Sequence, residues 1–239
     1  MSPFRIVDRG VDPQDLDRIA EALGPLDRGR GDELRITVFD GRRDDDLSAA
    51  LAPPAVCVID AHCAGRAASG LDEAFLTLRV STATANRLDV ADAFAWALEH
   101  RHPDLAGQTA DIRYALQEAI GNAVIHGNLG LDGTLRGSLD SLRIFAAMME
   151  ERMADPERSG RPITLAAREC PDGIIVSVED CGDGFAPDRV RPSDNPAAGG
   201  MGLSIIRMYC RSVVFDMDGR RIIMTFARNA QNGSSSLSQ

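Results

Sequence analysis

At 239 residues the chain exceeds one average domain, and 44% hydrophobic with 26% charged residues is ordinary for a protein that builds a core. A formal charge of −10 opposes nucleic-acid binding, which needs a basic face to neutralise phosphates. All 26 cationic residues are arginine, which excludes a P-loop, whose lysine reads phosphate, and also excludes lysine Schiff-base or general-base chemistry.

The first stretch alternates short apolar runs with helical ones: Phe4 to Val7, a helix after Pro13 carrying Leu16, Ile19, Ala20 and Leu23, then Leu34 to Phe39 and Ala55 to Ile59. Residues 1–72 therefore read as a small α/β unit. Asp8 and Asp60 each follow an apolar strand, which resembles the acidic placement in response-regulator receiver domains. The unit is too short for a full receiver and has no receiver lysine, so a truncated receiver-like unit and a plain surface Asp ending a strand stand as alternatives. From Phe75 to Val80 a strand is predicted, followed by a helix with Leu88, Ala91, Phe94, Ala95 and Leu98 on its apolar face. A second helix runs from about Thr109 to His126. Beyond it, Leu139, Leu142, Phe145, Ala146, Met149 and Met153 recur at helical spacing, predicting an inserted helix over about 138–154 with Ser138 as its cap. That helix covers core or offers a surface for a homodimer or another partner. Two hairpins follow, Ile163 to Ala167 with Ile174 to Val178, and Val213 to Met217 with Ile222 to Phe226 across Asp218-Gly219. A helix from about Leu203 to Tyr209 lies between them. The Ser-rich tail, residues 231–239, reads as disordered. Five scattered cysteines without close pairs, no secretory segment and no long apolar run predict a cytoplasmic protein with reduced thiols and no membrane association.

Three segments carry the chemistry. Glu118, Asn122 and His126 recur every four residues and form one polar stripe on a helix, beside an apolar stripe of Ile112, Leu116, Ile120 and Val124. Asp180-Cys181-Gly182-Asp183-Gly184 and Gly199-Gly200-Met201-Gly202-Leu203 place glycines where backbone turns sharply or approaches a ligand. Together they describe a nucleotide pocket, with ATP and a magnesium ion as the expected ligands.

In order and chemistry the three segments resemble the N, G1 and G2 boxes of the GHKL superfamily, whose ATP-binding domain is the Bergerat fold. Within it the chain looks most like the serine kinase branch of anti-sigma factors, on three features: Glu-x-x-x-Asn-x-x-x-His-Gly, the short lid Phe185 to Ala198, and Gly-Met-Gly-Leu. The resemblance implies an α+β fold, a two-layer sandwich of a mixed, mostly antiparallel sheet with helices on one face, over residues 73–230. It implies that Asn122 holds Mg²⁺ through its amide oxygen. Asp180 would accept from the adenine amino group, and Gly182 and Gly184 would let the loop pass close to the base. Gly200, Met201, Gly202 and Leu203 would open a helix whose N–H groups meet phosphate, with His126 near the phosphate end. Glu118 becomes the catalytic residue, taking a hydroxyl proton. The implied function is an ATP-dependent serine/threonine protein kinase that phosphorylates an anti-anti-sigma STAS partner and sequesters a sigma factor. A histidine-kinase catalytic domain and a non-catalytic ATP-binding regulator are the alternatives. For the former, His62, His100 and His102 are poorly placed as acceptors. Where the family has a glycine ahead of its third box, this chain has Ala197 or Ala198.

Overall fold

Eight strands form one mixed sheet in the order β1-β2-β3-β4-β5-β6-β8-β7, within a computed structural model that describes residues 4–23, 34–42, 46–63, 74–131, 139–184 and 202–228. In chain order the elements are β1 (Phe4–Arg9), α1 (Pro13–Leu23), β2 (Leu34–Phe39), α2 (Asp46–Leu51), β3 (Cys57–Asp60), β4 (Leu76–Ser81), α3 (Thr82–Arg87) and α4 (Val90–Arg101). A 3₁₀ turn (Pro103–Gln108) leads into α5 (Thr109–Asn122), which continues as a π-helical turn (Ala123–Asn128). Next come α6 (Leu139–Ala154), α7 (Pro156–Ser159), β5 (Pro162–Cys170), β6 (Gly173–Glu179), α8 (Gly202–Tyr209), β7 (Ser212–Asp216) and β8 (Arg221–Ala227).

The sheet changes character at β4. Strands β1 to β4 pair parallel in sequence order, whereas β4 to β8 pair antiparallel. Alternation explains the antiparallel half: Ile163, Leu165 and Ala167, then Ile174, Val176 and Val178, then Ile222, Met224 and Phe226 are buried on one face. Against that face pack Phe94 and Leu98 of α4, Ile112, Leu116 and Ile120 of α5, and Ile206 of α8. Each large side chain so buried contributes roughly 1.5–3 kcal/mol. Helix starts are set by short polar caps: Ser81 accepts from the Thr84 amide at α3, Asp89 from Asp92 at α4, and Asp155 from Glu157 at α7.

Over β1–β3 both faces are covered. Leu47, Ala50 and Leu51 of α2 join the main core, while Ile19 and Leu23 of α1 pack on the opposite face with Ile36, Val38, Cys57 and Ile59. The single helical layer expected for the ATP-binding half holds there, and the front unit adds a helix on the other side.

Asp60 is not the surface aspartate allowed for above. It is fully buried at the end of β3, and its carboxylate accepts from the amides of Gly41, His62 and Ser81 and from the Ser81 hydroxyl. Such a carboxylate joins three chain segments and has no access to a phosphodonor. The predicted inserted helix forms as α6, with Phe145, Met148, Met149 and Met153 resting against the core. The predicted cap Ser138, the lid 185–198 and the tail 231–239 lie outside the described residues. No helix among the described residues is long and apolar enough to cross a membrane.

Candidate nucleotide site

The site is built on α5, held on the sheet by Ile112, Ala115, Leu116, Ala119 and Ile120, all buried. Glu118 and Asn122 lie on the flank beside this apolar stripe and are partly exposed. Helix α8 packs along the same helix, its Tyr209 ring stacking on Tyr114 at 5.3 Å between centroids. The start of α8 thereby falls on the polar flank of α5: a Cβ built on Gly202 would stand 2.9 Å from Glu118 Oε2 and 3.3 Å from Asn122 Nδ2. Only glycine leaves that approach open. The first and third segments thus meet, with the N-terminal end of α8 beside an acid and an amide.

The second segment meets the π turn that continues the same helix beyond Asn122. The Asp180 carboxylate lies on the Cα of Gly127, close enough to exclude any side chain there, and a Cβ on Gly182 would stand 2.5 Å from the Gly127 carbonyl oxygen. Asp180 Oδ1 accepts from the Gly182 amide at 2.8 Å, closing the turn on itself. The Asp180 amide donates to the Arg220 carbonyl, and Gly184, at φ +76°, backs onto the Asp218 carbonyl in the β7–β8 turn. Burial pushes the Asp180 carboxyl up to about 6; the Gly182 amide and the Arg220 charge pull the other way, and Glu179 adds to the rise.

Where α5 widens into the π turn, the chain end is held by polar groups. Asn128 is fully buried: its Oδ1 accepts from the Cys181 amide at 2.7 Å, and its Nδ2 donates to the Thr82 hydroxyl at 2.8 Å and to the Pro162 carbonyl at 3.1 Å. Arg152 donates to the carbonyls of Leu129 and Gly130, Arg158 to that of Leu129, and Arg161 to that of Asn128. Cations here satisfy carbonyls that a helix terminus leaves unpaired. His126 is exposed, its Nδ1 bonded to the Leu131 carbonyl at 2.7 Å.

Of the residues singled out in the sequence, the structure brings Gly202 to Glu118 and Asn122, brings Asp180 and Gly182 to Gly127, and backs Gly184 onto Asp218. Leu203 follows Gly202 and rests partly on the core. Gly200 and Met201 lie outside the described residues. Sequence reading missed Asn128 as a functional residue; its place directly after His126-Gly127 was the only local signal. Among the described residues no cluster of three His, Cys, Asp or Glu could hold a metal by itself. The donor set fits magnesium carried with a nucleotide: an amide and a carboxylate supply hard oxygens, and phosphates complete the shell. Gly182, Gly184 and Gly202 admit the close approach of Gly127, Asp218 and Glu118, which draws these segments together.

No curated protein matches this chain. Residues 151–226 match the family model of the histidine kinase-like ATPase domain, a span that contains the Asp180 loop and Gly202 and stops short of Glu118 and Asn122. With the mixed eight-stranded sheet and its helices, this agrees with the Bergerat ATP-binding fold of the GHKL superfamily and with an ATPase or kinase-like function.

Proposed function

We propose that the chain is an ATP-dependent protein serine/threonine kinase of the anti-sigma factor type, acting on a STAS-domain anti-anti-sigma partner in a bacterial partner switch. The observation that supports this reading is the convergence of Gly202, at the start of α8, on Glu118 and Asn122; an acid and an amide there would suit the phosphate end of a nucleotide. Asp180 accepts from the adenine amino group. Asn122 would hold Mg²⁺, which when bound supplies charge neutralisation at the phosphates. Glu118 takes the proton of the partner's serine hydroxyl as that oxygen bonds to the γ-phosphorus. The bond from γ-phosphorus to the bridging oxygen breaks, and ADP leaves with the electron pair.

Each of the four histidines makes a contact within the fold, His126 through the Nδ1 bond described above. His62 Nε2 pairs with Asp40 at 2.6 Å, His100 Nδ1 bonds the Trp96 carbonyl at 2.9 Å, and His102 packs on the Phe75 ring. The test is incubation with γ-labelled ATP and a STAS partner, comparing wild type with Glu118→Ala and Asn122→Ala. Acid-stable label on a partner serine, lost in both variants, is expected. Acid-labile label on the chain's own histidine, or nucleotide binding with no transfer, would overturn the kinase reading.

A further inference from the structure

Adenine recognition depends on Asp180, whose amide donates to the Arg220 carbonyl. The amide of Cys181, the next residue, ends on a side chain from 53 positions earlier, Asn128 Oδ1. That amide can only donate, and the Pro162 carbonyl on the other side of Asn128 can only accept, so one orientation of the carboxamide satisfies both. An aspartate there would lose the donor and an apolar side chain would lose both partners. Full burial forbids water as a substitute.

Asn128 is in turn aimed by Thr82. The Thr82 hydroxyl accepts from Asn128 Nδ2 and donates to the Arg161 carbonyl at 2.8 Å, so its own direction is fixed. Thr82 opens α3 directly after Ser81, and Ser81 is held at both its amide and its hydroxyl by Asp60 of the front unit. A continuous polar line thus runs from β3 through the β4–α3 junction and under the π turn to the adenine loop.

We propose that Asn128, seated by Thr82, is a positioning residue for adenine binding, setting the Cys181 amide and hence the Asp180 carboxylate against Gly127. The proposal rests on the nucleotide reading of the site. Because it acts on the base end, it affects capture of ATP and leaves phosphoryl transfer at the Glu118 end alone.

Deleting Asn128 outright would orphan several buried groups and endanger the fold, so the test works through Thr82. Thr82→Val keeps the shape and removes the hydroxyl; Thr82→Ser keeps the hydroxyl. Three measurements are made on the full chain: ATP affinity by calorimetry, KM and kcat with a phosphorylatable partner, and hydrogen exchange of the Cys181 amide without nucleotide. Thr82→Val is expected to weaken ATP binding and raise KM for ATP about five- to tenfold, leave kcat within about twofold, and speed Cys181 exchange about tenfold. Thr82→Ser should restore all three. Wild-type affinity and wild-type Cys181 protection in Thr82→Val, with ATP bound normally by the parent, would overturn this proposal alone, as would a loss confined to kcat. A parent chain that takes up no adenine nucleotide would overturn the nucleotide reading itself.

Discussion

Gly202 stands at the start of α8 with its Cα turned to Glu118, so that a methyl group there would lie 2.9 Å from the carboxylate oxygen. The nearest atom belongs to the end of a flexible side chain, so Gly202→Ala should fold and displace Glu118 and Asn122 instead. Misplacement of a reacting group by about 1 Å costs on the order of 100-fold in rate. The expected outcome is a fall of about that size in kcat/KM with a melting temperature within a few degrees of wild type, read by partner phosphorylation and calorimetry.

Asp180 links pH to both binding and stability. Its ionised form is the stronger acceptor for an adenine amino group and its protonated form adds a competing O–H donor, so ATP affinity should fall as pH drops through about 6. Stability runs the other way. The folded carboxyl sits above its ordinary value of 3.8, so the folded state holds the extra proton in between. The stabilisation is complete below that ordinary value and is lost as pH rises through about 6. Allowing for the group's partial exposure, the difference is on the order of 1–2 kcal/mol. Asp180→Asn should therefore flatten the dependence of the urea midpoint on pH between 4 and 7 while abolishing calorimetric ATP uptake. A variant that binds ATP normally would refute the adenine role.

Gly121 sits inside α5, where a Cβ would meet nothing within 4 Å. Glycine in a helix interior costs about 1 kcal/mol relative to alanine. Gly121→Ala should raise stability by about 0.5–1 kcal/mol in urea unfolding, and a destabilised variant would show that the empty space is not free.

Asp60 should resist modification and tolerate little change. Asp60→Asn removes acceptor capacity from a carboxylate that takes donors from Gly41, His62 and Ser81, at an expected cost of roughly 2–4 kcal/mol. Treatment of wild type with acetyl phosphate should leave intact mass unchanged, since no oxygen of Asp60 is open to the reagent; a gain of one phosphoryl group would contradict the buried geometry.

Periodicity carried the sheet and the main helices. Alternating residues of Ile163 to Ala167 and Ile174 to Val178 marked β5 and β6, and the apolar stripe of Ile112, Leu116 and Ile120 marked α5. The approach of the three segments was legible because glycine, amide and acid recur at the spacings that a nucleotide pocket needs. Other features left no local trace. Helix α2 is only six residues long and α3 carries Thr82 and Thr84, so neither shows a full apolar period. The π turn continues an ordinary helical pattern and differs only in its hydrogen bonds, as from the Leu129 amide to Val124. Asn128 and Asp60 owe their roles to partners tens of residues away, and an isolated Asn or Asp in a sequence reads equally well as a turn or a surface group.

The front unit shares a hydrogen-bonded border with the nucleotide-binding half, since β3 lies along β4 through the pairs Cys57–Thr77, Val58–Leu78 and Ile59–Arg79. Cutting the chain near residue 72 would strip one side of β4 and leave a long, apolar, unpaired edge open to self-association. A minimal nucleotide-binding fragment of this protein must therefore keep its first strands or be given a substitute for them.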